Sequence, residues 1–317
     1  MGSQIPGRDR PAAPLPRIAP LNRAVSPSPG PSGHPLPVGE GESVRPPAAD
    51  SMGSAIRIVE AARRDDQGPL WERALEIALA RTSGTPLSYI LGRQNFMNVE
   101  LMVAPGVLLP REETELLGAT AVGLLRHLSA ERSVNADEVN VIDMCCGLGN
   151  LACGIANAFR PARVWASDLS AASVVLAQYN AENLGFSARI EVVQGDLFAP
   201  LAGRGLEGAI DAIVCNPPYI SSGRLEKEAA KLLCYEPREA FDGGPYGLSI
   251  YQRVIKDAVP FLRPDGWLIF EIGRGQDCIV EFLFNRTRAY SPVEFVSDAR
   301  GEPRVAVARK KTTDRLA

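Results

Sequence analysis

Apolar and polar residues alternate along this chain in two ways, one typical of strands and one typical of helices. Between residues 139 and 309, short apolar runs rich in β-branched residues alternate with longer amphipathic segments. The runs predict seven strands, at 139–143, 163–167, 189–194, 212–215, 267–272, 293–297 and 304–308. The amphipathic segments predict helices, among them 115–128, 151–159, 170–184, 247–262 and 276–285.

The order of these segments sets the expected topology. Strands that alternate with helices pair in parallel and are joined by right-handed crossovers, which predicts an α/β fold with a seven-stranded sheet. The last two strands are joined only by the segment 298–303, which is too short for a crossover. The final strand is therefore expected to run antiparallel to its predecessor.

A smaller helical region and a hairpin precede this sheet. Apolar residues recur at helical spacing from residue 54 to residue 80, which predicts a small N-terminal helical domain. Polar and apolar residues alternate from Asn95 to Leu108 around Ala104-Pro105-Gly106, which predicts a β-hairpin connector. The expected division is a leader at 1–50, the helical domain at 52–92, the hairpin at 93–110, the main domain at 111–309 and a tail at 310–317.

The first fifty residues differ in composition from the rest of the chain. They hold twelve of the 26 prolines, with Ser, Gly and Ala between them and almost no periodic apolar pattern. Such a segment cannot bury enough surface to offset chain entropy, so a disordered leader, or a start at Met52, is expected. A Pro-x-x-Pro ligand for a partner protein is the alternative interpretation.

Composition and charge limit the function classes. The chain has 317 residues, of which 45% are hydrophobic and 22% charged, with a net charge of −3 and a pI near 5.6. These values indicate a globular enzyme without a broad nucleic-acid footprint. No apolar run is long enough for a membrane span or a secretory signal, so the cytoplasm is the expected location. Six cysteines without Cys-x-x-Cys spacing and only two histidines predict no metal site.

The tetrapeptide Asn216-Pro217-Pro218-Tyr219 directly follows the apolar run 212–215, so it is expected at the carboxyl end of a buried strand. Open α/β sheets bind their ligands at that edge, and two successive prolines make the turn rigid with unpaired carbonyls. The Asn216 amide oxygen and the Pro217 carbonyl can both accept hydrogen bonds from one NH2 group, while the Tyr219 ring covers its face. The pattern indicates a pocket for an amide, amidine or aromatic amine nitrogen.

Three more strand ends carry residues suited to an adenosine-like ligand. After Asp143, Gly147 and Gly149 let the backbone pass close to a ligand, and the helix start behind them offers free N–H groups. Asp168 follows the second strand, where an acidic side chain can bind the two hydroxyls of a ribose. Asp196 follows the third strand, and its carboxylate can accept a hydrogen bond from an exocyclic amine.

A dinucleotide is the competing ligand for this glycine turn. In the Gly-x-Gly-x-x-Gly fingerprint of dinucleotide sites, the first and last glycine positions are Cys145 and Ala152 here. S-adenosylmethionine has no pyrophosphate to bind, so it fits these residues better. In that interpretation Phe198, after the third strand, covers the purine ring.

With these motifs in this order, the chain resembles a known family. Asn-Pro-Pro-Tyr after such a glycine turn is typical of class I N-methyltransferases, and the flanking residues are similar to the HemK/PrmC-like release-factor glutamine methyltransferases. The resemblance covers roughly residues 86–309. The matching stretches are 89–92 with Phe96, 107–117, 216–220, 235–240, 243–244 with 247–248, 271–273 and 298–304.

The resemblance implies a class I methyltransferase fold, which is Rossmann-like, with S-adenosylmethionine as cofactor and a glutamine N5 nitrogen of a peptide chain release factor as the methylated group. The implied catalytic residues are Asn216, Pro217 and Tyr219. The implied cofactor-binding residues are Asp143, Cys145, Gly147, Gly149, Asn150, Asp168, Leu169, Asp196, Leu197 and Asn216. The implied substrate-binding residues are Phe96, Arg111, Pro218 and Tyr219.

Departures from the family pattern keep a second function open. Cys145 and Cys146 stand in the glycine turn, Asn150 follows it where a small apolar residue is common, Glu112 replaces a proline, and the N-terminal domain is short. These features favour an enzyme that acts on a small molecule, including cyclisation of S-adenosylmethionine to azetidine-2-carboxylate with release of methylthioadenosine. A cofactor-binding regulator without turnover is a third hypothesis, against which the intact Asn-Pro-Pro-Tyr argues.

Three charged residues in the matching stretches have two interpretations. Glu236, Arg238 and Glu271 either form a salt-bridged scaffold around the site or take part in catalysis directly. The sequence gives no indication of the oligomeric state.

Overall fold

The computed structural model describes residues 70–82, 84–131, 138–228 and 233–312. The expected leader, the first part of the expected helical domain and the end of the expected tail lie outside these described residues. Within them, no helix is long and apolar enough to cross a membrane, and no three Cys, His, Asp or Glu side chains are grouped as metal ligands would be.

Nine strands and eight α-helices are present in the described residues. Two short strands, β1 (Arg93–Phe96) and β2 (Val99–Met102), form a hairpin. The seven others form one sheet and are β3 (Val139–Met144), β4 (Ala162–Asp168), β5 (Ile190–Gln194), β6 (Ile210–Cys215), β7 (Leu262–Glu271), β8 (Glu294–Ser297) and β9 (Pro303–Arg309). The helices are α1 (Leu70–Thr82), α2 (Leu87–Leu91), α3 (Glu112–Glu131), α4 (Asn150–Ala158), α5 (Ala171–Asn183), α6 (Ser222–Glu228), α7 (Ser249–Asp257) and α8 (Asp277–Thr287).

The strand order of the large sheet is β5-β4-β3-β6-β7-β9-β8. The pairs from β5 to β7 are parallel, whereas β9 is antiparallel to both β7 and β8. This confirms the predicted seven-stranded α/β sheet with an antiparallel last strand. The direction of strand succession reverses between β3 and β6, and ligands of such sheets bind at that point, beyond the carboxyl ends of the strands.

Both faces of the sheet are covered by helices, so the central strands are apolar on both sides. In β3, Val141 packs in a core with residues of α3, α4 and α5, and the next residue, Ile142, packs in a second core with residues of α7 and α8. The continuous apolar runs that predicted these strands therefore result from burial on two faces.

Two boundaries differ most from the sequence-based prediction. The helix expected at 247–262 ends at Asp257, because Pro260 has no N–H and its ring disfavours a helical residue before it. Strand β7, predicted at 267–272, begins earlier than expected, at Leu262. The start of α5 fits expectation, since the Ser170 hydroxyl caps it by accepting a hydrogen bond from the Ser173 N–H at 3.4 Å.

The hairpin turns at a different place from the one predicted. Its two-residue turn is Met97-Asn98, in which both residues have positive φ values, 45° and 62°. Such turns match the twist of the flanking strands, and Asn tolerates the left-handed conformation well. The predicted centre at Ala104-Pro105-Gly106 forms a separate bend, with Gly106 at φ 87°. The alternating pattern was correct for a hairpin, but Pro-Gly was the wrong turn.

Met97 anchors this hairpin to the main domain. A Cβ atom added to Gly154 of α4 would lie 2.8 Å from the Met97 Sδ and 3.0 Å from its Cβ, and one added to Gly118 of α3 would lie 2.2 Å from the same sulfur. The Met97 N–H also donates a hydrogen bond to Glu115 Oε1 at 3.0 Å. The two glycines thus form a notch that the methionine fills.

Gly154→Ala is expected to lower the free energy of unfolding by about 1–3 kcal/mol, because the added methyl group overpacks a filled notch. The matched control is Gly123→Ala on α3, where an added Cβ meets no atom within 4 Å. The control is expected to be neutral or stabilising by up to about 1 kcal/mol, since Ala favours helix. Urea unfolding measures both. If Gly154→Ala also costs stability in a Met97→Ala background, the notch is not the cause.

Candidate active site

Two adjoining cavities lie at the carboxyl edge of the parallel strands, at the reversal point between β3 and β6. The first has a volume of about 410 Å³ and the second about 240 Å³. Eight predicted site residues line the first cavity, namely Cys145, Gly147, Asp168, Leu169, Asp196, Leu197, Asn216 and Pro218. Arg111, Asn216, Pro217 and Tyr219 line the second. Asn216 borders both and therefore stands at their junction.

The turn after β3 brings the backbone to the first cavity. Cys145, Gly147 and Gly149 have positive φ values of 58°, 55° and 82°. A Cβ on Gly149 would lie 3.1 Å from the Ala177 Cβ, so this glycine lets α4 approach α5 and does not itself line the cavity. Asn150 begins α4 and is also absent from the cavity wall. Direct cofactor contacts from these two residues remain predictions.

Asp168 is held rigidly at the end of β4. Its Oδ2 accepts a hydrogen bond from the Gly147 N–H at 2.8 Å, and its Oδ1 accepts one from the Ser170 N–H at 2.9 Å. Burial raises the pKa of this carboxyl group, and the two backbone hydrogen bonds oppose that shift. Each carboxylate oxygen can accept further bonds, so two fixed acceptors face the first cavity, as a vicinal diol requires.

Asp143 lies behind the turn, is fully buried and lines neither cavity, so its direct contact with the cofactor stays a prediction. Its Oδ2 accepts a hydrogen bond from the Ala152 N–H at 2.9 Å, whereas its Oδ1 has no partner among the described residues. Burial raises the pKa of Asp143 to about 8. An unpartnered buried oxygen is costly, and a cationic donor supplied from outside the protein would both satisfy it and favour the ionised form.

The segment after β5 differs in part from the prediction. Asp196 pairs with Arg253 of α7 through Nη2 and Oδ2 at 2.8 Å, and Leu197 lines the cavity with φ 48°. Phe198 does not cover the cavity, because its ring is only 4% exposed and stacks on Phe261 with 5.0 Å between centroids. The prediction that Phe198 covers a purine ring is therefore wrong.

The Asn-Pro-Pro-Tyr turn is connected by hydrogen bonds to two neighbouring elements. The Asn216 Nδ2 donates to Thr114 Oγ1 at 3.1 Å, and Thr114 Oγ1 donates to Glu271 Oε2 at 2.7 Å. The Tyr219 hydroxyl donates to Glu271 Oε1 at 3.0 Å. Neither Asn216 Oδ1 nor the Pro217 carbonyl accepts a hydrogen bond from the described residues. Both oxygens are free to accept a hydrogen bond, and their contact with a substrate nitrogen stays a prediction.

Glu271 ends β7 and is 2% exposed. Burial raises its pKa, while the Thr114 and Tyr219 hydroxyls and the Arg304 guanidinium, at 3.5 Å, oppose the shift. Burial, and the nearby Glu271 charge, raise the pKa of Tyr219 too, so its phenol stays protonated. Neither Thr114 nor Arg304 was predicted individually as a site residue, although both lie in stretches that match the family motif.

Two glycines allow neighbouring backbone to pack closely against this turn. A Cβ on Gly247 would lie 2.3 Å from the Tyr219 carbonyl oxygen, and one on Gly243 would lie 2.8 Å from the Pro218 oxygen. The Gln276 Nε2 also donates to the Tyr219 carbonyl at 3.1 Å. The Gly-Gly and Gly-Leu stretches in the family motif therefore allow close backbone packing.

Arg111 lines the second cavity with its charge already paired. Its Nη2 contacts Glu236 Oε2 at 2.5 Å, and Glu236 Oε1 accepts a hydrogen bond from the Leu109 N–H at 2.9 Å. Glu236 is buried, so it holds the segment before α3 in place, which favours the scaffold interpretation for this residue. Arg238 borders the first cavity and pairs with Asp242 and Glu226.

Phe96 lies away from both cavities. Its side chain is 2% exposed and packs in the core between the hairpin and helices α3 to α5. Strand β1 directs it inward, because apolar hairpin residues alternate with polar ones and bury one face. The predicted contact between Phe96 and the substrate does not fit this placement.

Comparison with known proteins agrees with the motifs. Residues 115–246 match the family model described as the methyltransferase small domain. A solved structure of the N-terminal domain of human METTL16 in complex with SAH is 17% identical, covers 84% of this chain and 96% of that one, and has a TM-score of 0.50. At that identity the likeness shows the fold alone, a class I methyltransferase fold.

Two curated relatives are more similar in sequence. The release factor glutamine methyltransferase of Moorella thermoacetica is 38% identical over 231 residues, which cover 73% of this chain and 77% of the relative. The protein of the same name from Gloeobacter violaceus is 35% identical over 246 residues, which cover 78% and 80%. Similarity of this extent decides the family: the chain belongs to the release factor glutamine methyltransferases.

Proposed function

We propose that this protein is an S-adenosylmethionine-dependent methyltransferase that modifies the N5 nitrogen of a glutamine side chain in a peptide chain release factor. The observation that carries the proposal is the pair of free acceptors, Asn216 Oδ1 and the Pro217 carbonyl, where the two cavities meet. Two acceptors in a rigid turn suit the two N–H groups of a carboxamide. The names of the relatives support a glutamine as the acceptor.

The residues of the first cavity fit S-adenosylmethionine. Its volume lies within the range of small-molecule sites. Asp168 would hold the ribose hydroxyls, and Asp196 would accept a hydrogen bond from the adenine amine. Asp143 does not line the cavity, but its buried Oδ1 lacks a donor of the kind that the cationic amino group of S-adenosylmethionine supplies. When bound, S-adenosylmethionine supplies a methyl group that already carries its own leaving group.

The protein therefore has to position and activate the acceptor nitrogen. An amide nitrogen is a weak nucleophile because its lone pair is delocalised into the carbonyl group. Hydrogen bonds from its N–H groups to Asn216 and Pro217 would oppose that delocalisation and stabilise the positive charge that develops on nitrogen. Tyr219 would cover the amide plane and hold it in line for transfer. After transfer, S-adenosylhomocysteine is the leaving group, and the methylated nitrogen loses one proton to solvent to give the neutral N-methyl amide.

The second hypothesis, cyclisation of S-adenosylmethionine, is not favoured. It relied on Asn150 as a polar neighbour of the methionyl group, and Asn150 does not line the first cavity. The intact motif Asn216-Pro217-Pro218-Tyr219 also argues against a regulator without turnover. A cytoplasmic location and a release factor as partner belong to this proposal.

Analysis of the reaction products tests the proposal directly. Purified protein incubated with S-adenosylmethionine and a release factor should yield S-adenosylhomocysteine and one methylated glutamine in the release factor. Incubation with S-adenosylmethionine alone should yield neither S-adenosylhomocysteine above background nor methylthioadenosine. Methylthioadenosine as the main product would overturn the proposal in favour of cyclisation.

Asn216→Ala should lower turnover by about 100-fold or more, because one of two acceptors that act chiefly in the transition state is lost. The dissociation constant for S-adenosylmethionine, measured by calorimetry, should change little. Asn150→Gly is the comparison and should reduce single-turnover rates much less. A larger loss for Asn150→Gly than for Asn216→Ala would contradict the assigned roles.

Asp168→Ala should weaken S-adenosylmethionine binding by about 1.5–3 kcal/mol for each charged hydrogen bond lost. Glu182→Ala, which removes an exposed carboxylate near the other end of α5, is the control and should bind normally. Calorimetry on both folded variants decides the matter. Equal affinities would place the ribose elsewhere.

A further inference from the structure

We infer that Thr114 and Glu271 are positioning residues that fix the amide of Asn216 with its oxygen toward the acceptor pocket, which makes this pocket select a carboxamide over a carboxylate. The inference rests on the proposed function and extends it to substrate selectivity. It starts from one feature of asparagine: the oxygen and the NH2 group of its amide have nearly the same shape, so only hydrogen-bond partners decide which one faces a ligand.

The Glu271 carboxylate sets the direction of the hydrogen bonds. An ionised carboxylate only accepts, and Glu271 is surrounded by donors. Its Oε1 faces the Tyr219 hydroxyl at 3.0 Å and the Arg304 guanidinium at 3.5 Å, and its Oε2 lies 2.7 Å from Thr114 Oγ1. The single hydroxyl proton of Thr114 is therefore committed to Glu271.

Thr114 transmits this direction to Asn216. With its proton donated to Glu271, Thr114 Oγ1 can only accept from the amide group 3.1 Å away. Asn216 must therefore turn its Nδ2 toward Thr114, and its Oδ1 is left facing the cavities. The reverse orientation would place two acceptors, Oδ1 and Oγ1, against each other without a proton between them.

Burial makes this choice strict. Thr114 is 1% exposed and Glu271 is 2% exposed, so water cannot replace either partner. The three groups also come from three different elements, the first turn of α3 and the ends of β6 and β7. Each side chain is therefore fixed by its own backbone, and the relay Glu271–Thr114–Asn216 has one low-energy arrangement.

The fixed orientation has a consequence for the substrate. A carboxamide brings two N–H donors to Asn216 Oδ1 and the Pro217 carbonyl, whereas a carboxylate would bring only acceptors. The two guanidinium groups in the wall of the second cavity, those of Arg111 and Arg304, are already paired with Glu236 and Glu271, so neither is left to pair with a carboxylate. If Asn216 were free to rotate, its NH2 group would become available, and the discrimination between glutamine and glutamate would decrease.

Thr114→Val and Thr114→Ser test the relay in the full-length protein. Valine keeps the shape of threonine without the hydroxyl, and serine keeps the hydroxyl. With a release factor as substrate, kcat of Thr114→Val should fall by about 10-fold or more, while KM and the S-adenosylmethionine dissociation constant stay within about twofold. Thr114→Ser should recover kcat to within about threefold of wild type.

A release factor with the target glutamine changed to glutamate gives the readout that a merely structural role would not alter. The release factor that carries glutamate should inhibit the Thr114→Val enzyme at least about fivefold more strongly than it inhibits the wild-type enzyme or Thr114→Ser. Equal inhibition of all three enzymes, or equal losses of kcat in Thr114→Val and Thr114→Ser, would overturn the inference.

Glu271→Gln provides a second variant if Thr114→Val does not fold. The glutamine amide can donate a hydrogen bond to Thr114, so the Thr114 proton is no longer committed to residue 271 and Asn216 can rotate. This variant should show the same fall in kcat and the same increase in inhibition by the glutamate-bearing release factor.

Wild-type turnover separates the proposed function from the proposed relay. Absence of release factor methylation by the wild type would refute the proposed function, whereas normal wild-type turnover with unchanged discrimination in the variants would refute the relay alone.

Discussion

Hydrogen bonds to a single buried carboxylate, that of Glu271, connect the elements from which the acceptor pocket is built. Donors from the first turn of α3, from the turn after β6 and from β9 converge on its two oxygens. Burying a charge costs several kcal/mol unless it is paired, so these elements are held in register by the need to satisfy it. The positions of Asn216 and Tyr219 depend on that arrangement. The Tyr219 hydroxyl donates a hydrogen bond to Glu271 directly, and the Asn216 amide is connected to Glu271 through the Thr114 hydroxyl.

The sequence was most informative where one physical cause dominates. Strands β3, β4, β6 and the second half of β7 are buried on both faces, so their apolar runs are nearly continuous and easily located. The residues that follow such strands must meet at one edge, which placed Asp168, Asp196 and Asn216 around common cavities. For these residues, the end of the strand determines the location of the side chain.

Prediction failed where side-chain packing decides between local alternatives. Phe96 and Phe198 are both adjacent to polar site motifs, but each ring is buried in a core that the local sequence does not specify. The turn at Met97-Asn98 depends on the notch at Gly118 and Gly154, which are distant in sequence. Thr114 lies in a helix, and its role follows only from the neighbours that tertiary structure gives it.

The position of β9 between β7 and β8 links completion of the site to the last strand of the sheet. Strand β7 cannot pair on that side, nor can Glu271 gain the Arg304 guanidinium, until residues 303–309 have been synthesised and inserted. Contacts between distant parts of a chain form slowly, because the loop between them must be closed first. The first cavity is lined by residues no later in the chain than Ile250, whereas the second also needs Glu271 and Arg304, so the acceptor pocket is the part of the site that depends on the insertion of β9.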